Sequence, residues 1–365
     1  MDFIIILLVL VVLHEFGHFI AAKRSGVRVE EFGFGLPPRV FGRKFGKKPE
    51  PGKEDERTLF SFNLLPIGGF VRLTGEDAIY SDESDPRNFQ NAPLWKRMII
   101  VLSGVVMNFA LGIALFAIVY SYIGIPVRPP QIDVLVGQVV ADSPASQAGL
   151  KEGDRIEAFN GQKVKDSETL IADVKKRADT VVNLTIVRDS QSQEVSLTPR
   201  GNPPPGQGAL GVQLDQKLRT TFYPSWQMPF HGIAAGAYDT FEMSKQILPA
   251  LSNLVGSIIV KQEVPSDVAG PVGIYRASQL FCGNSMLSCL QFAGLLSVNL
   301  AIFNLLPIPA LDGGRFAFML YEAITRRKPN AKFEQWSHAI FFALLILLLI
   351  FVTYNDIFVS KGFLK

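Results

Sequence analysis

Cysteine and charge are both scarce in this sequence. Two cysteines, Cys282 and Cys289, occur in 365 residues, so a zinc site built on thiolates lacks the further cysteines it would need. The pair can close a short disulfide in an oxidising compartment or fill two apolar positions, and the sequence leaves both open. Charged residues make up 19% of the chain and hydrophobic ones 48%, with a net charge of +3. Lysine and arginine are scattered, which excludes an evident nucleic-acid surface, and no nucleic-acid partner is expected. Histidine is limited to four positions, His14, His18, His231 and His338. Apolar sequence is what the chain has in excess, and its length leaves room for two domains. That combination indicates a membrane protein, with the lipid bilayer as a partner.

Four stretches come near the roughly 20 apolar residues that cross a bilayer: Phe3–Ala22, Met98–Ile123, Leu287–Leu306 and His338–Tyr354. The first does not read as a secretory signal, because "MD" before it carries no basic residue, while Lys23 and Arg24 follow the apolar run. An uncleaved span with its N-terminus outside is expected. Arg39, Arg43, Lys44, Lys47 and Lys48 then occupy a cytoplasmic loop, as do Arg315, Arg326, Arg327, Lys328 and Lys332 after the third span. The segment from about Gly124 to Met286 falls outside. The expected location is the inner (plasma) membrane, multi-pass, with both termini extracytoplasmic.

The reactive residues sit where an apolar helix should have none. "VVLHEFGHFI" (Val11–Ile20) places two histidines and a glutamate at the end of the first span, each costing a few kcal/mol at membrane depth, ~2.5 or more. His14 and His18 stand at i and i+4 on one helix face, where both imidazoles can meet one ion. Glu15 between them is placed to handle water activated by that ion. Two imidazoles and one carboxylate suit a single catalytic zinc with an open position. The third ligand is sought in "NLLPIPALDGGR" (Asn304–Arg315), where Pro307 and Pro309 break the helix and Gly313–Gly314 permit a sharp turn. Asp312 lies at that break. Taken alone it reads as a helix N-cap at the membrane surface, and beside a two-histidine site it reads as a ligand. His231 and His338 have no supporting motif and read as interfacial or surface residues.

"HEFGH" in the first span and "NLLPIPALDG" in the third resemble the paired motifs of the site-2 protease family of intramembrane zinc metalloproteases, in its bacterial branch. "FGFG" (Phe32–Gly35), "LLPIGGFVRL" (Leu64–Leu73) and "AGPVGIYRAS" (Ala269–Ser278) extend the likeness over nearly the whole chain. The resemblance implies His14, His18 and Asp312 as zinc ligands, Glu15 as general base, and Asn304 as a residue meeting the substrate backbone or the developing oxyanion. It also implies a membrane-reentrant β-loop within about residues 27–73, with Gly68, Gly69 and Phe70 binding substrate by strand addition. One departure is Val105 in "SGVVMNFALG", where a proline is expected after the glycine; Asn108 is kept.

Between the second and third spans, strands and helices alternate. "VLVGQVVADSPASQAGLKEGDRIEAFNGQKV" reads as strand, small-residue helix, Gly-Asp turn, strand and Asn-Gly turn, followed by the amphipathic "SETLIADVKKRA" and two more strands. This resembles a single PDZ domain of the periplasmic-protease type, which could bind a peptide or exclude bulky substrates.

The expected fold is an α-helical polytopic membrane protein with about four transmembrane helices, a reentrant β-hairpin loop and one inserted extracytoplasmic α+β PDZ domain. The expected parts are 1–123, two spans and the β-loop; 124–217, the PDZ domain; 218–285, amphipathic helices at the outer membrane face; and 286–365, the last two spans. The expected activity is endopeptidase cleavage within or near the span of single-span membrane proteins. A membrane-anchored zincin cutting surface peptides and a non-catalytic PDZ adaptor are the alternatives, and Glu15 is the residue that separates them.

Overall fold

A computed structural model describes residues 2–46, 57–76, 85–127, 132–189, 191–204, 207–256 and 270–359. Lys47, Lys48 and most of the charged excursion around them lie outside the described residues, as does the stretch 257–269. The chain divides into two compact units, Met1–Val119 with Pro229–Lys365, and Tyr120–Met228. The expected outer-face segment 218–285 is therefore split between them.

Helix α1 (Asp2–Ser25) carries Lys23 and Arg24 in its last turn, where cations complement the helix dipole. It stops at Gly26, whose φ of 81° is left-handed. The Gly26 N–H bonds to Lys23 O and the Val27 N–H to Ala22 O, the pair of contacts that closes a Schellman end. Strands β1 (Val29–Phe45) and β2 (Thr58–Leu73) are both bent and pair antiparallel overall. Residues Glu31–Phe34 meet Gly69–Arg72 on one side and Leu59–Phe62 on the other, while the outer half of β1, Arg39–Phe45, pairs with Thr58–Asn63. The last part of β2 therefore has a strand partner on one side only among the described residues. Helix α2 (Leu94–Ile123) follows, ending at Gly124 with the Gly124 N–H on Tyr120 O.

The second unit has short strands β3 (Ile125–Pro126), β4 (Ile132–Val139), helix α3 (Pro144–Gln147), β5 (Arg155–Phe159), β6 (Gln162–Lys163), helix α4 (Ser167–Lys176), β7 (Val182–Arg188), β8 (Gln191–Leu197), β9 (Val212–Leu218) and β10 (Thr220–Thr221). The main sheet runs β8-β7-β5-β4-β9, with β6 paired to β5. Alternation explains its core: Val182, Leu184 and Ile186 point inward from β7 at every second residue, all at most 1% exposed. They meet Val134 and Val136 of β4 and Leu170 and Val174, one turn apart on α4. The Asn-Gly turn forms as read: Asn160 and Gly161, both at positive φ, make a two-residue link between β5 and β6.

The chain returns with α5 (Met228–Gly256), α6 (Pro271–Asn284), α7 (Met286–Leu305), α8 (Asp312–Thr325) and α9 (Ala331–Tyr354). Among the described residues, 218–285 carries two helices, α5 and α6; Pro229 falls in the first turn of α5, where no intrahelical N–H is needed, and Pro249 is carried inside it. Two details differ from the sequence reading, the link after the third span and the start of the last one. The link after the third span is a helix, α8. The last span begins at Ala331, so His338 lies two turns inside it. Cys282 and Cys289 are bonded to each other across the α6–α7 corner.

Among the described residues, four helices are long and apolar enough to cross a membrane: Phe3–Ser25, Leu94–Ile123, Met286–Leu305 and Ala331–Phe358. Glycines set how closely three of them approach. A Cβ at Gly17 of α1 would fall on the Ser103 carbonyl of α2, and one at Gly112 of α2 would lie 2.8 Å from Val298 of α7. Small residues of this kind let membrane helices pack backbone to backbone. Arg97 of α2 and Glu322 of α8 form a largely buried ion pair at 2.7 Å, fixing α8 beside α2.

Candidate metal centre

His14 and His18 lie one turn apart on α1, with ring centroids 4.8 Å apart and planes nearly perpendicular. Their Nε2 atoms are separated by 3.2 Å. Asp312 comes to them from 298 residues away, its Oδ2 at 2.9 Å from His14 Nε2 and 3.2 Å from His18 Nε2. Three donor atoms thus form a triangle with edges of 2.9, 3.2 and 3.2 Å. Ligands at zinc bond lengths of about 2.0–2.1 Å in a tetrahedron stand roughly 3.3 Å apart, so the residues present fit that ion. Asp312 is not the helix cap that its isolated sequence suggests: Leu311 takes the N-cap position of α8, and the Asp312 carboxylate turns to the imidazoles.

The outer nitrogens of both rings are engaged. His18 Nδ1–H donates to the Ile100 carbonyl of α2 at 2.8 Å, which leaves Nε2 with its lone pair towards the triangle. His14 Nδ1 lies 3.1 Å from Asn108 Nδ2, while Asn108 Oδ1 is buried without a hydrogen-bond partner. Turning that amide over brings Oδ1 to a His14 Nδ1–H, satisfies the orphan oxygen and frees His14 Nε2 for a metal. Gly104, one turn before Asn108 on α2, supplies the space: a Cβ there would lie 2.6–2.7 Å from His14 Cε1 and Nε2 and still closer to His18.

A cavity of about 250 Å³ opens beside the triangle. Glu15, His18 and Asp312 line one part; Phe70, Glu76, Arg315 and His338 line another. Glu76 and Arg315 are ion-paired across it. Gly69 packs over Glu15, since a Cβ on it would lie 3.6 Å from Glu15 Cγ. The structure therefore brings together His14, Glu15, His18, Asp312, Gly69 and Phe70. Gly68, with φ of 79°, turns the strand beside Val11 of α1. Asn304, half-buried in the last turn of α7, does not line the cavity.

Sequence reasoning missed the working partners Gly104, the Ile100 carbonyl, the Glu76–Arg315 pair and His338. Asn108 was legible as a polar residue inside a span, a signal of function by default, but its link to His14 was not. His338, set aside as interfacial, accepts a hydrogen bond from the Ala310 N–H on Nδ1 at 2.8 Å.

The sequence matches the model of peptidase family M50 over residues 2–348. Among curated relatives, the regulator of sigma-W protease RasP of Bacillus subtilis is 29% identical, covering 97% of each chain. Zinc metalloprotease RasP of Geobacillus kaustophilus is 27% identical, covering 98% of this chain and 97% of its own. Likeness to solved structures is local: the PDZ domain of an SdrC-like protein from Listeria innocua is 26% identical over 22% of this chain and 92% of its own, with a TM-score of 0.20.

Proposed function

The chain belongs to peptidase family M50 and is a zinc metalloprotease with apolar helices of membrane-spanning length; from that premise we propose that it is an intramembrane endopeptidase, cutting within or near the span of single-span membrane proteins. The observation that carries this reading is the position of the donor triangle. His14 and His18 belong to an apolar helix, and Asp312 and Glu15 meet them at a small polar cavity among the same helices. A protease acting on soluble peptides has no need to place its ligands inside a span at that cost.

His14, His18 and Asp312 would hold the zinc, whose Lewis acidity renders water acidic enough to lose a proton near neutral pH. Glu15, lining the cavity, takes that proton and returns one to the leaving amine. Ile100 and Asn108 keep the two imidazoles in the tautomer that leaves Nε2 free. Asn304 stands outside the cavity lining, and its role, meeting the substrate backbone or the developing oxyanion, rests on the family motif alone.

A helical substrate must be extended before its peptide bonds are reachable. Among the described residues the Gly69–Leu73 segment of β2 has a strand partner on one side only, Gly69 lies against Glu15, and Phe70 reaches the cavity, which supports strand addition beside the base. Val40, Phe41, Phe62 and Leu64 of the same two strands are more than half exposed, as suits strands dipping into lipid. The Cys282–Cys289 bond at the start of α7 is in keeping with an oxidising exterior there, and basic residues after α8 with a cytoplasmic side. The second unit would then be an extracytoplasmic PDZ domain that screens substrates by size or binds a peptide. Anti-sigma factors and remnant signal peptides are the substrate classes that fit.

The test is metal content and cleavage of a single-span reporter by purified wild type and Glu15→Gln. Stoichiometric zinc in both, with cleavage lost only in the variant, is expected. Equal cleavage by both would remove Glu15 as the base, and a wild type without zinc would remove the site.

A further inference from the structure

A side chain from another helix, His338 of α9, bonds to the loop Leu306–Leu311 that delivers Asp312. Pro307 and Pro309 have no N–H. Leu306 N–H bonds to Phe303 O, Ile308 N–H to Leu306 O, and Leu311 N–H to Ile308 O. Leu306 thus ties back to α7, while the Ala310 N–H donates to a side chain of another helix, His338 Nδ1 on α9, at 2.8 Å. Ala310 also has φ of 84°, a left-handed conformation that costs a residue with a Cβ about 1 kcal/mol or more and persists only where neighbours enforce it. Asp312 is two residues further on. Below it, Gly313 and Gly314 are packed so closely on the carbonyls of Leu305, Leu306 and Ile308 that little slack is left to absorb a change at Ala310.

Helix α9 is otherwise the most exposed of the four apolar helices. Besides His338 it is tied down just beyond its far end, where the buried Asp356 carboxylate accepts the Gly270 and Gly273 N–H groups at the start of α6. The contact from His338 to Ala310 therefore joins a loosely packed span to the metal centre.

We propose that His338 is a positioning residue for Asp312: its Nδ1 holds the Ala310 peptide and thereby sets the carboxylate against the two imidazoles. The inference rests on Asp312 being a zinc ligand, as proposed above. Its role is carried by one acceptor atom, so an asparagine, whose Oδ1 can take the place of Nδ1, should substitute for it and an alanine should not.

The test uses the full-length protein in detergent, with zinc affinity measured by chelator competition and the ligand field read from the visible spectrum of the cobalt-substituted form. His338→Ala should weaken zinc binding by about 10–100-fold, the usual effect of removing an outer support of a ligand, and shift the cobalt spectrum. His338→Asn should return both towards wild type. Wild-type affinity and spectrum in His338→Ala would overturn the proposal, as would a His338→Asn variant no better than the alanine. His14→Ala, measured alongside, tests the underlying reading separately: if it bound zinc as tightly as wild type, the site itself would be wrong, whatever His338 did.

Discussion

The two units bury polar groups in different ways. In the second unit Asp154 is 1% exposed, and its carboxylate is met by Arg188 through Nε and Nη2, both at 2.6 Å, and by the Lys151 N–H at 2.8 Å. Burial alone would push the Asp154 carboxyl up, yet Arg188 and that N–H hold it below the usual carboxylate range. Ser143, fully buried, accepts the Ser146 N–H and caps α3. Among the described residues of this unit, no buried side-chain polar atom lacks a hydrogen-bond partner. In the membrane unit, His14 is buried with its Nε2 crowded against two other donor atoms, and Asn108 keeps an oxygen without a partner. There the donor atoms converge on one point, at the spacing of ligands to a single ion. Donor atoms that converge on one point mark a candidate site, while polar groups each closed by its own partner belong to a core.

Three substitutions would break or sharpen this contrast. Asp312→Ala should have the largest effect: zinc affinity falls by more than about 100-fold, beyond the loss of an outer support, and reporter cleavage disappears. Hydrogen exchange of β5 and β7 in the second unit should be unchanged; if those strands loosened as well, the two units would not be separable in the way drawn here.

Asn108→Leu should come next. It keeps the bulk and removes the acceptor for His14 Nδ1–H, so zinc affinity should fall by about 10–100-fold with the helices still folded. Titration by chelator competition checks this. An unchanged affinity would mean that the orphan oxygen has nothing to do with the metal.

The smallest effect on function is expected from Arg188→Met. Zinc content and cleavage should stay at wild-type levels, while the second unit loses stability because Asp154 is left buried without its cation. The sign with pH follows from the depressed carboxyl. Its stabilisation is fully present above the unfolded value of about 3.9 and is lost as pH falls through the lower folded value. The variant should therefore lose most at neutral pH and differ least from wild type in strong acid, measured by thermal melts followed through β-sheet circular dichroism.

Much of the centre was legible because local spacing reports on a helix directly. His14, Glu15 and His18 share one helix, so i, i+4 geometry requires no knowledge of the fold, and their cost in an apolar span marks them as functional. Asp312 was legible only through its break-and-turn context and the missing ligand. Asn108, Gly104 and His338 could be noticed as residues but not assigned, since nothing in their own segments says which helix they face. The strand order of the β1–β2 sheet was hidden for the same reason: one segment of β1 pairs with two parts of β2, and pairing partners are a long-range property.

By itself the sequence determined the four apolar spans, the strand and turn order of the inserted unit, and the chemistry of the first-span motif. Each of these follows from periodicity, hydropathy or turn chemistry within a few residues. Tertiary structure alone decided that the two cysteines bond, that the Asp312 carboxylate meets the two imidazoles instead of capping its helix, and that His338 bonds to the loop that carries it. Those contacts span 7 residues for the cysteines, 28 for Ala310 and His338, and 298 for His14 and Asp312; each joins different helices or loops, and only packing brings such elements together.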